Sequence, residues 1–106
     1  MTTKEALADS IAHWQRMIAW AALQKGNASR LEMSGDINEC WGAAHCALCN
    51  EINNNPEFIC PLGDCRKTLQ CNILWVNVSD SYTWEGWTLN AKLMLEYMQE
   101  IYDKMP

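Results

Sequence analysis

Two stretches of this chain carry helical periodicity, one near each end, and the middle carries almost none. Between residues 3 and 25, Leu7, Ile11, Trp14, Ile18 and Ala21 recur at steps of four, three, four and three. That spacing puts them on one stripe of an amphipathic helix. Thr2, with Glu5 three residues later, has the form of a capping box, and Gly26-Asn27 supplies a stop. Met17 and Trp20 widen the apolar face, and His13 reads as a residue on its border. A face this wide needs more than one neighbour to cover it.

The second periodic stretch ends at Lys104. Lys92, Glu96, Gln99 and Asp103 form one polar line at steps of four, three and four, while Leu89, Leu93, Met94, Leu95, Tyr97, Met98, Ile101 and Tyr102 fill most of the rest. A helix polar on so narrow a stripe is buried on most sides or pairs with another chain, so a homodimer is an open expectation. Thr88 as N-cap would give a helix over 88–104, and Ser81 or Thr83 would start it near 84. Between the two helices, Gly35-Asp36, Asn53-Asn54-Asn55-Pro56 and Pro61-Leu62-Gly63-Asp64 are turn or loop signals. The alternation of Leu74, Val76 and Val78 fits a short strand over residues 73–78. These patterns predict one mainly α domain over residues 1–106. Its terminal helices (3–25 and 84–104) pack together around an irregular cysteine-rich segment (36–72), with at most one or two short strands.

Composition sharpens this picture at the cysteines. All six (Cys40, Cys46, Cys49, Cys60, Cys65 and Cys71) fall inside the aperiodic middle. Cys46-Ala-Leu-Cys49 has the spacing with which two thiolates grip one tetrahedral zinc ion, and Cys60 opens a second half with Cys71 or Cys65 as fourth ligand. That second half is not a C-x-x-C. Cys40 is then a spectator or an alternative ligand, as is His45, although residues adjacent in sequence seldom both reach one ion. A disulfide framework and plain packing or thiol exchange are the competing readings. No leader or long apolar run is legible, which points to a reducing cytoplasm and away from disulfides.

Charge and the absence of motifs narrow the function classes. The formal net charge is −5, with 13 acidic against 8 basic side chains. Lys4, Arg16, Lys25 and Arg30 lie in the first thirty residues, and most of the acids follow them. An acidic exterior repels phosphate backbones, so nucleic-acid binding is disfavoured. No phosphate-cradling glycine loop, no G-x-S-x-G and no deaminase-type H-x-E is present, and a zinc closed by four cysteines leaves no open position for chemistry. The expectation is therefore a binding protein and not an enzyme. Six tryptophans supply apolar area suited equally to a core or an interface, with most of them expected in the core, and Trp20, Trp84 and Trp87 are the candidate partner-binding anchors, a core place being favoured even for these.

His13-Trp14-x-x-Met17-Ile18-x-Trp20, Cys46-Ala-Leu-Cys49, Cys60-Pro61 and Cys71 together resemble small, mostly uncharacterised proteins encoded by tailed bacteriophages. Those proteins pair a Trp-rich N-terminal helix with a C-x-L-C…C-P…C zinc-binding segment, and the likeness spans residues 10–75. The resemblance implies Cys46, Cys49, Cys60 and Cys71 as ligands of a structural Zn2+ and a bacterial host cytoplasm as the setting. It brings no established activity. The combined expectation is an accessory protein that binds a host or phage protein, with inhibition of a host defence system as one form this takes. A nucleic-acid-binding zinc knuckle using Arg66 and Lys67, and a protein that sequesters a small molecule such as a nucleotide, are the alternatives.

Overall fold

The computed structural model describes residues 2–37, 39 and 69–105, with the side chains of Arg30 and of residues 69–73 left aside. Four helices make up the described part: α1 (Thr3–Ala21), α2 (Arg30–Ile37), α3 (Leu69–Ser79) and α4 (Trp84–Lys104). No strand occurs among the described residues, only an isolated antiparallel bridge between Asn27 and Thr83. None of the described helices is long and apolar enough to cross a membrane.

Helix α1 starts as its capping residues dictate. The Thr2 hydroxyl accepts from the Glu5 N–H at 3.1 Å and itself donates to the Glu5 carboxylate at 3.1 Å. The helix ends earlier than the periodicity suggests, at Ala21 and not at residue 25. Its carbonyls close through tighter bonds, Leu23 N to Trp20 O and Gln24 N to Ala21 O, which wind the chain out of the α form. Gly26 then takes a positive φ of 89°, a conformation that costs a glycine nothing.

Helix α2 occupies sequence that reads as a turn around Gly35-Asp36. Its signal is present in the chain as Ser29-x-x-Glu32: the Ser29 hydroxyl accepts from the Glu32 N–H at 3.4 Å. The strand expected over residues 73–78 is instead part of α3. Leu74 and Val78 satisfy a step of four as well as an alternation, and Val78 is buried while Val76 is exposed. Short apolar runs carry both periods at once, and here packing against α4 selects the helix.

Helix α4 begins at Trp84 because Thr83 caps it, its hydroxyl accepting from the Gly86 N–H at 3.1 Å. Thr88 lies inside the helix and is buried, so it is not the cap. The terminal helices α1 and α4 pack together, as the patterns predict, and they run antiparallel. The Lys4 ammonium near the start of α1 sits 4.9 Å from the ring centre of Tyr102 near the end of α4. At the opposite end Trp20 meets Trp84 edge-on at 4.9 Å. Between these ends Leu7, Ile11, Trp14 and Met17 of α1 interleave with Trp87, Ala91, Met94 and Met98 of α4, and Met33 and Val78 close the flanks.

Candidate functional site

Most residues expected to hold zinc lie outside the described part of the structure. These are Cys40, His45, Cys46, Cys49, Cys60 and Cys65. Cys71 falls on the backbone of α3, with its side chain also outside the described set. Among the described residues no group of three or more histidine, cysteine, aspartate or glutamate side chains gathers at metal-binding distance.

The three tryptophans expected as anchors separate. Trp84 and Trp87 are fully buried, so both serve the core and neither is an exposed anchor. The reason is helical phase: with α4 starting at Trp84, both rings fall on the face that meets α1. Trp87 stacks against Trp14 at 6.3 Å and 16°, and Trp84 meets Trp87 edge-on at 5.8 Å. These offset and edge-on arrangements suit the ring quadrupoles and make one aromatic seam. Trp20 alone keeps part of its surface in solvent, its indole N–H donating to Asp36 Oδ2 at 3.0 Å. That bond ties α1 to α2.

Two arrangements emerge that the sequence pattern did not show. The first is polar. His13 Nδ1 lies 2.7 Å from Glu39 Oε1, and Arg16 Nε reaches both carboxylate oxygens at 3.1 and 2.8 Å. An ionised carboxylate only accepts, so the Nδ1 proton belongs to His13 in this pair. Partial burial pushes the Glu39 carboxyl upward, but hydrogen bonds from His13 and Arg16 and the Arg16 charge outweigh it and hold the group below the ordinary carboxylate range. His13 is buried and not a border residue. Ser10, one turn before it, is buried too, with a hydroxyl that has no hydrogen-bond partner among the described residues. The cluster clasps α1 to the segment after α2.

The second arrangement is apolar and exposed. Leu23, Leu31 and Tyr82 are 82%, 86% and 86% exposed, although each is a large apolar or amphipathic side chain. They come from three separate stretches of sequence: Leu23 and Tyr82 from the loops that meet at one end of the bundle, and Leu31 from the first turn of α2. Ala28 N donates to Tyr82 O at 2.8 Å and Trp84 N to Gly26 O at 2.9 Å, which stitches the loop after α1 to the loop before α4. The Trp20–Asp36 and Arg16–Glu39 contacts show that α2 runs back along α1, so Leu31 returns to the level of Leu23. Trp20 lies just beneath, against Trp84. Sequence spacing missed these residues because they share no helix; the stitched loops place Leu23 and Tyr82, and the course of α2 places Leu31.

No family model, no curated protein and no solved structure matches the chain.

Proposed function

We propose that this chain is a small phage-type accessory protein that acts by binding another protein, of the phage or its host, and carries a structural zinc. The supporting observation is the high exposure of Leu23, Leu31 and Tyr82 toward the end of the bundle where the partly exposed Trp20 meets Trp84. Exposed apolar side chains scattered singly are ordinary, whereas several gathered at one end, with an aromatic among them, are what an interface core needs. The framework behind them is well suited to presenting them. The loops are tied by main-chain hydrogen bonds and backed by the tryptophan seam, so little ordering cost is left for binding.

Under this reading Cys46, Cys49, Cys60 and Cys71 hold zinc as a scaffold for the middle of the chain, and inhibition of a host defence enzyme is one outcome of occupying its surface. The test is crosslinking. A photoreactive residue in place of Tyr82 should yield one discrete adduct in host-cell extract, which Leu23→Ser with Leu31→Ser abolishes. Adducts indifferent to both substitutions would sink the proposal. A mobility shift with nucleic acid at low salt, and no protein adduct, would favour the zinc-knuckle alternative.

A further inference from the structure

The outward face of α4 differs in character from the end face. Leu89 and Leu93, one helical turn apart, are 61% and 51% exposed. The side chains that share their face are charged and exposed: Glu85 one turn before Leu89, Lys92 beside Leu93, then Glu96 and Glu100. Glu100 is matched by Lys104 at 3.4 Å. Neither Glu85 nor Glu96 takes part in an ion pair among the described residues. From Glu85 to Glu100 the face therefore presents two leucines framed by three carboxylates against a single ammonium, Lys92.

We propose that this face docks a basic amphipathic helix. Two leucines one turn apart form a ridge with a spacing of about 6 Å, which a facing helix matches with its own apolar residues at i and i+4. Lysine or arginine beside those residues meets Glu85 and Glu96, which speeds encounter and fixes register. A second copy of this chain is the wrong occupant on charge. It brings the same acidic frame and a further net −5, so like charges would face one another across a ridge of only two leucines. The inference concerns a second surface, away from Leu23, Leu31 and Tyr82, and holds or fails independently of that end.

The experiment uses the full chain and three labelled synthetic peptides read by fluorescence anisotropy. One is an amphipathic leucine–lysine helix, one has the same composition in scrambled order, and one carries glutamate for lysine. The leucine–lysine helix should bind, the other two should not, and raised salt should weaken the complex. Leu89→Ser with Leu93→Ser should weaken it by about tenfold or more, since a few residues buried at the centre of an interface carry most of its energy. Glu85→Gln with Glu96→Gln should slow association and flatten the salt dependence, and Leu31→Ser at the other end should change nothing. All of these side chains are exposed, so far-ultraviolet circular dichroism should show every variant folded. Equal binding of the scrambled peptide overturns the proposal, because charge alone then explains it. So does a wild-type dimer in sedimentation that Leu89→Ser with Leu93→Ser dissociates, because the face then takes a second copy.

Discussion

Among the described residues, Glu39 is the one whose carboxylate draws both a buried histidine and an arginine, and the arginine engages both of its oxygens. Arg16 is half-exposed, so its share is screened by solvent, and the hydrogen bond to buried His13 carries more weight. Native Glu39 holds a proton less readily than the unfolded chain does, so its contribution is complete above the ordinary carboxylate range. It is lost as pH falls through that range toward the lower native value. Glu39→Gln should cost about 1.5 kcal/mol at neutral pH, the lower end of the range for a hydrogen bond to a charged group, since solvent screens part of the pair. It should also flatten the acid limb of the stability curve. Urea titrations of both proteins between neutral and acid pH would check this, and parallel curves would show that Glu39 is not the group responsible.

At the scale of the elements, the starts of the two long helices were legible from hydroxyl residues, whereas Ser29, with Glu32 three residues on, went unread as the start of α2. Thr2 and Thr83 both cap as their sequences suggest, and Thr88, an alternative cap by composition, is instead a buried interior residue. The distinction can be measured. Thr83→Ala should destabilise the protein by about 1 kcal/mol through loss of the cap. Thr88→Val, which removes a buried hydroxyl without a partner among the described residues, should be neutral or stabilising. Thermal unfolding of the pair decides it, and the reverse order would move the helix start to Thr88. The ends of elements were harder to read. Residues 22–25 keep helical composition, but the last turn tightens to i→i−3 bonds and releases the chain before Gly26. Helix α3 was missed because Leu74, Val76 and Val78 fit a period of two as readily as one of 3.6.

For the whole molecule, the antiparallel α1–α4 pair forms one shared core, to which α2 and α3 contribute Met33 and Val78. The wide apolar face of α1 is covered by α4 and α2 together. The nearly all-round apolar composition of α4 is used mainly inside the chain, leaving Leu89 and Leu93 outward. The zinc proposal also belongs to this scale. It predicts one zinc per chain by elemental analysis, lost when Cys46, Cys49, Cys60 or Cys71 is replaced by serine and kept when Cys40 is. A metal-free wild-type chain would remove zinc from the picture, and loss only with Cys65→Ser would exchange the fourth ligand.

The sequence by itself determined the helical class, the two long terminal helices, the Thr2 cap of α1 and most of the core stripe of α1. Those features are local: propensity, capping and a 3.6-residue period act within a few turns and are written in consecutive residues. Tertiary structure decided what depends on pairing. It set the phase of α4, which buries Trp84 and Trp87 against Trp14 and Trp20. It brought Glu39 to His13 across 26 positions of chain. It also brought the loop after Leu23 to the loop of Tyr82 through two main-chain hydrogen bonds. Contacts between residues far apart in sequence leave no periodic trace, because each partner is chosen by where the packed helices carry it.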